Sequence, residues 1–224
     1  YMRFILKRLK ADVIFHAAAY KHVPMVEENP VVAVKNNVLG TQNLVQAAIE
    51  AGTERFVLIS TDKVVEPSSV YGVSKRLAEE IVLSAHQNSG PQAADGAYMV
   101  VRFGNVLGSR GSIVPLFQQQ IAKGGPVTIT HPDVSRYFMT IPEASSLVLK
   151  AGGVGDPGAL YVLDMGDPVR IKDLAEQMIR FYGYEPHTEI EINYLGLRRG
   201  EKLQEHLIGP GEDACDTPYP RIKR

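Results

Sequence analysis

Arg55-Phe56-Val57-Leu58-Ile59 is an apolar run bounded by polar turns, the pattern of a short buried strand. It leads straight into Ser60-Thr61-Asp62-Lys63 and, after seven further residues, into Tyr71-Gly72-Val73-Ser74-Lys75. Thr61, Asp62, Lys63, Tyr71 and Lys75 can all move or hold protons, and this order gathers them just past the C-terminal end of one strand. In open α/β sheets that edge is where ligands sit.

The neighbouring segments extend the same architecture. Upstream, Asp12 to His16 reads as a buried strand running into Ala17-Ala18-Ala19, small residues that suit either close approach of a ligand or tight helix packing. Tyr1 to Lys10 suits a surface helix with a basic face. Pro30 to Ala51 has helical periodicity closed by Gly52, and carries Asn36-Asn37 and Gly40 where helix propensity is poor, so a packing or ligand reason is expected there. Downstream, Tyr71 to Ala85 reads as a helix, 86–97 as a polar loop and Tyr98 to Phe103 as a strand leading into Gly104-Asn105. Strand and helix alternating in this way imply parallel strands with right-handed crossovers, a doubly wound, Rossmann-like α/β sheet. No G-x-G-x-x-G is present, so the first strand of such a sheet and its phosphate-binding loop are expected upstream of Tyr1.

Beyond Gly111 the elements shorten. Helices are expected at Ile113 to Ala122, Ile141 to Ala151, Ile171 to Tyr182 and Glu201 to Leu207; strands at Pro126 to Thr130, Ala159 to Leu163 and Glu189 to Tyr194; and loop from Gly209 to Arg224. The domain reading is a cofactor domain over 1–110, to which 139–165 returns, and a smaller substrate lobe from 111–138 and 166–224.

With 24 Lys+Arg against 25 Asp+Glu the net charge is −1, which argues against nucleic acid or an anionic membrane as a general partner. Apolar runs fall far short of the roughly 20 residues of a membrane helix, so this chain reads as soluble and cytoplasmic, with any anchor expected upstream. Cys215 is alone, which excludes an internal disulfide, and the six histidines lack metal-ligand spacing.

Tyr71 and Lys75 stand four apart and so share a helix face. A neighbouring ammonium favours phenolate, so Tyr71 is expected to have a lowered pKa and to remove a proton from a hydroxyl as hydride leaves its carbon. Asp62-Lys63 is a second proton-moving pair, which suggests elimination or isomerisation beside a redox step. Arg136, Arg198 and Arg199 are candidates for an anion such as a diphosphate.

Taken together, the H-A-A-A-Y-K-H-V-P stretch from His16, N-V-L-G-T from Asn37, S-T-D-K from Ser60, Y-G-V-S-K from Tyr71, R-Y-F-M-T from Arg136 and G-E-K-L from Gly200 resemble the CapD-like polysaccharide biosynthesis proteins. These are extended short-chain dehydrogenase/reductases whose characterised members are UDP-N-acetylglucosamine 4,6-dehydratases. The resemblance implies a redox cycle on NADP or NAD. Tyr71 takes the 4-hydroxyl proton, Lys63 removes the C5 proton with a lowered pKa, Asp62 protonates the departing 6-hydroxyl, and hydride returns to C6. It also implies that Ala17, Ala18 and Phe103 line the cofactor, that Thr61 bonds the sugar or ribose, and that Asn37 orders a water near Lys75. Lys21, Asn105, Arg136, Arg198 and Glu201 would hold the UDP-sugar. Tyr71 stands where longer, membrane-anchored relatives tend to have methionine. Arg199 replaces a common proline, which leaves open which arginine meets the diphosphate. A nucleotide-sugar epimerase, which needs Tyr71 and Lys75 but not Asp62-Lys63, is the competing enzymatic reading. A cofactor-poor binding module is the non-enzymatic one, and a homo-oligomer is the default assembly.

Overall fold

The computed structural model describes residues 1–88, 96–109 and 111–224. Helix α1 (Met2–Leu9) precedes β1 (Val13–His16). Two short helices, α2 (Val23–Glu28) and α3 (Pro30–Ala33), lead through a π-helical turn (Val34–Leu39) into α4 (Gly40–Ala51). Strand β2 (Arg55–Ile59) ends in a 3-10 turn (Asp62–Val64), followed by α5 (Val70–Asn88), β3 (Ala97–Arg102), β4 (Asn105–Val106) and α6 (Ile113–Ala122). Next come β5 (Val127–Ile129), β6 (Ser135–Arg136), β7 (Phe138–Met139), α7 (Ile141–Val154), β8 (Leu160–Leu163), β9 (Val169–Arg170), α8 (Ile171–Phe181), β10 (Ile192–Tyr194) and β11 (Ile222–Lys223).

The main sheet has the order β1-β2-β3-β8-β11. Its first four strands are parallel, with Val13 opposite Arg55, Arg55 opposite Ala97 and Val100 opposite Leu160, while β11 runs antiparallel to β8. Alternation along β2 and β3 sends residues to two covered faces. Phe56, Leu58, Tyr98 and Val100 pack against α1, α4 and α5 through Leu6, Val45, Ala48, Ala78 and Val82. Val57, Met99 and Val101 pack on the other side against Ala144, Val148 and Ala151 of α7. A strand buried on both faces needs the near-continuous apolar run seen at 55–59. Each large side chain so buried stabilises the fold by about 1.5–3 kcal/mol. The rings of Phe56 and Tyr98 add a stacked contact between β2 and β3, with centroids 5.5 Å apart. A separate apolar cluster joins α6 and α8 to the β5-β10 pair through Phe117, Ile121, Ile129, Ala175, Ile179 and Ile192.

Four local expectations are corrected. Residues 86–88 continue α5 and Ala97 opens β3 where loop was expected, and 89–95 of that expected loop lie outside the described residues. The long helix over 30–51 is interrupted by the π-helical turn, which contains Asn36 and Asn37. Ile222 and Lys223 form a strand where only loop was expected. Glu201 to Leu207 is not a helix. The carbonyls of Lys202 and Leu203, which a helix would need, instead accept from the Arg136 guanidinium at 2.9 and 3.1 Å, and the Leu203 carbonyl also accepts from the Ser135 amide at 3.0 Å.

Candidate active site

Past the C-terminal ends of β1, β2 and β3 lies a cavity of about 460 Å³. The 3-10 turn and α5 meet at its floor. The Thr61 hydroxyl caps the turn by accepting from the Lys63 amide at 3.4 Å, and Ser69 caps α5 by accepting from the Gly72 amide at 3.0 Å. The Val70 amide donates to Glu27 at 2.6 Å. Gly72 lies directly against the Lys63 carbonyl, and a Cβ there would collide with it. The two motifs therefore touch, and the glycine between Tyr71 and Val73 is what lets them.

Thr61, Lys63, Tyr71 and Lys75 all line the cavity. Asp62 does not stand among the lining residues; it is fully buried beneath them, with Oδ1 accepting from the Thr61 hydroxyl at 2.9 Å and from Lys63 Nζ at 3.0 Å. Its Oδ2 has no hydrogen-bond partner among the described residues and lies where a side chain at Gly104 would press on it. Lys63 Nζ also donates to Asn105 Oδ1 at 3.3 Å and sits 3.8 Å from Glu205.

The expected lowering of the Tyr71 pKa is overturned. Burial holds its hydroxyl above the usual phenol range; the Thr61 hydroxyl works against this and the Asp62 carboxylate adds to it. Lys75 is itself depressed to about 8, by burial, with Glu79 opposing. Its ammonium donates to the Ile59 carbonyl at 2.7 Å. Burial and then the Lys75 charge also push His16 down to about 4, so His16 is a neutral ring beside Thr41 Oγ1, 2.8 Å away.

Ala17 and Phe103 line the cavity, as does Ala19, whereas Ala18 is not among the lining residues. Asn37 is buried below it and fully engaged: Nδ2 donates to the Tyr20 carbonyl and to Ser74 Oγ, both at 3.0 Å, and Oδ1 accepts from the Tyr20 amide at 2.8 Å. That geometry makes Asn37 a clamp on the Ala19-Tyr20 backbone and the start of α5. Lys21, Asn105, Arg136, Arg198 and Glu201 all line the cavity. Lys21 donates to Ser109 Oγ at 3.4 Å. Glu201 organises this wall, accepting from Thr130 at 2.8 Å, Arg136 at 3.3 Å and the Arg198 amide at 3.2 Å. The arginine question is settled in position: Arg198 lines the cavity, while Arg199 is exposed and pairs with Glu27 at 3.4 Å.

Glu205 was missed. It lines the cavity beside Lys63 while only 6% exposed, and burial raises its pKa, with the Asp62 charge adding to this against Lys63, Arg136 and Lys202. A lone acid in a polar segment carries no spacing signal.

The model of the family described as polysaccharide biosynthesis protein matches residues 1–224. The chain belongs to this family. The probable polysaccharide biosynthesis protein EpsC of Bacillus subtilis is 49% identical over 218 residues, which are 97% of this chain and 36% of that protein. The chain thus spans little more than a third of that relative's length. A UDP-glucose 4-epimerase of Rickettsia massiliae is 36% identical over 203 residues, 91% of this chain and 58% of that protein. Among solved structures, Pen from Bacillus thuringiensis superposes with a TM-score of 0.88 at 34% identity, covering 99% of this chain and 68% of that one. MoeE5 in complex with UDP-glucuronic acid and NAD does so with 0.75 at 25%, covering 89% and 70%. The expected Rossmann-like fold is therefore shared with these solved structures, one of which holds a UDP-sugar and NAD.

Proposed function

We propose that this chain is the catalytic portion of an NAD- or NADP-dependent nucleotide-sugar 4,6-dehydratase acting on UDP-N-acetylglucosamine. The observation that carries this reading is the presence of two separate proton-handling pairs at one cavity, Tyr71 with Lys75 on its lining and Lys63 on its lining with Asp62 buried behind it, where oxidation alone needs one. The residues fit the cofactor on one point of geometry. The buried Lys75 ammonium has three donors, and one is used on Ile59, so the others can serve a ribose beside Ala17, Tyr71 and Phe103. When bound, the dinucleotide supplies hydride acceptance and return, together with a positive ring that lowers the Tyr71 pKa that burial has raised.

Tyr71 then takes the 4-hydroxyl proton. The 4-ketone acidifies C5–H, Lys63 removes that proton, and a neighbouring carboxyl, with Asp62 as the sequence candidate, protonates the leaving 6-oxygen. Lys21, Asn105, Arg136, Arg198 and Glu201 form the wall for the UDP-sugar, and the arginines suit its diphosphate. Arg136, Arg198 and Glu201 of that wall come from 111–138 and 166–224, which supports reading those segments as the substrate lobe.

The test is to incubate the full-length protein with UDP-N-acetylglucosamine and weigh the product. Loss of one water supports dehydration. An isobaric product supports the epimerase reading, which the identity to the Rickettsia protein favours, and binding without turnover supports a binding module. Lys63→Ala should lower water loss by about 10²–10⁴-fold while reduced nicotinamide still forms, and Tyr71→Phe should stop both.

A further inference from the structure

Two buried carboxyls, Glu205 on the cavity lining and Asp62 beneath it, share one ammonium, Lys63. Lys63 Nζ contacts Asp62 Oδ1 at 3.0 Å and lies 3.8 Å from Glu205 Oε1. Asp62 Oδ2 and Glu205 Oε2 are both buried without a hydrogen-bond partner among the described residues. Among the described residues Lys63 is the one ammonium in contact with these carboxyls. Lys63, Arg136 and Lys202 favour the charged form of Glu205, but burial outweighs them and the Asp62 charge adds to it, so a proton is favoured on one of the two carboxyls. Asp62 is the better anion, with a contact ion pair and the Thr61 hydroxyl on Oδ1. Glu205 has only the longer approach to Lys63. Access divides them the same way: Glu205 lines the cavity, and Asp62 does not.

We propose that Glu205 is the acid that protonates the leaving 6-hydroxyl, and that Asp62 is the anion that orients Lys63. This rests on the dehydratase reading. Lys63 first gives its ammonium proton to water, to be regained when the cycle closes, and as the neutral amine takes the C5 proton; C5=C6 forms as the C6–O6 bond breaks, and O6 leaves as water with the Glu205 proton. The lysine proton then returns to C5 as hydride reaches C6, and the proton that Tyr71 took from O4 passes through water to Glu205, so the protein ends as it began. Burial, the first cause of the raised Glu205 pKa, favours the protonated carboxyl that this task needs.

The experiment compares Glu205→Gln, Glu205→Asp and Asp62→Asn in the full-length protein with NAD or NADP, in D₂O. For Glu205→Gln, water loss should fall by about 10²–10⁴-fold while C4 oxidation and deuterium entry at C5 persist, because the base is intact. The alkaline fall in the wild-type water-loss rate should vanish in that variant, and Glu205→Asp should recover part of the rate. Without substrate, an infrared band of a protonated carboxyl should be present in wild type, absent from Glu205→Gln, and weakened in Asp62→Asn, where the charge that opposes ionisation of Glu205 is gone. A Glu205→Gln variant that loses water at the wild-type rate with an unchanged pH profile overturns the role of Glu205 alone. A wild type that releases no water overturns the dehydratase reading and this role together. Should Glu205→Gln fail to fold, Glu205→Asp and the infrared band of wild type decide, and absence of the band overturns the proposal.

Discussion

Lys75 is an ammonium whose charge burial makes costly. Its folded pKa of about 8 lies below the usual lysine value of 10.5, so the fold carries the full cost of the buried charge below pH 8. Between those values the unfolded chain binds the proton that the folded chain has released, and stability rises with pH. The gap corresponds to about 3 kcal/mol. Lys75→Met should therefore abolish turnover yet raise the urea midpoint at pH 7, by less than that gap because the Ile59 carbonyl loses its donor. The variant should also lack the rise in stability between pH 8 and 10.5. Gly72 is a second residue whose role is steric: Gly72→Ala should cost about 1–3 kcal/mol in denaturant titration, since the Lys63 carbonyl must move. The acidic and basic residues of the S-T-D-K and Y-x-x-x-K motifs could be read from spacing to one strand tip. The Tyr71 pKa could not, because it depends on how completely the hydroxyl is buried. Glu205 could not either, because its place comes from a chain segment that returns from far along the sequence.

At the scale of elements, strands and long helices were legible where periodicity alone decides them. The bounds of β2 and α6 match the apolar patterns at 55–59 and 113–122. Elements set by distant partners were not. The 201–207 segment has the composition of a helix, but Arg136 and Ser135 take its carbonyls, and a tertiary hydrogen bond outweighs a helix propensity of a few tenths of a kcal/mol per residue. Arg136→Met should release those carbonyls, loosen 201–205 and raise the KM for the nucleotide sugar, with hydrogen exchange at Leu203 and Glu205 reporting the loosening. The π-helical turn was signalled only by the poor propensity of Asn36-Asn37; the clamp that Asn37 makes on Tyr20 and Ser74 explains why the chain keeps it.

Across the whole molecule, one buried ionic group joins distant parts of the chain. Arg102 is fully buried in β3, donates to Glu79 of α5 at 2.9 and 3.2 Å, and reaches Glu212 at 2.7 Å and the Leu207 carbonyl at 2.9 Å. Glu79 also accepts from Ser60 at 2.5 Å, which brings this network up to the strand tip. The Arg102 hydrogen bond, opposed by some burial, is the main cause that holds Glu212 down to about 2. Its stabilisation is complete above the unfolded value of 4.5 and is lost as pH falls toward 2. Partial exposure limits it to about 1–2 kcal/mol. The stability difference between wild type and Glu212→Gln should accordingly be present at pH 6 and shrink through pH 4 toward pH 2, as read by urea titration.

The cross-links around the cavity mouth have a kinetic meaning. Ser68 Oγ donates to the Gly200 carbonyl at 3.1 Å, Lys202 Nζ to the Val65 carbonyl at 2.6 Å, and Arg199 pairs with Glu27, so the 198–202 segment is already fastened to the loop ahead of Tyr71. Little backbone has to be ordered when a ligand arrives. Stopped-flow association should then be a single phase whose rate climbs linearly with ligand concentration, and cutting the Lys202 tie should introduce a plateau as closure becomes the slow step.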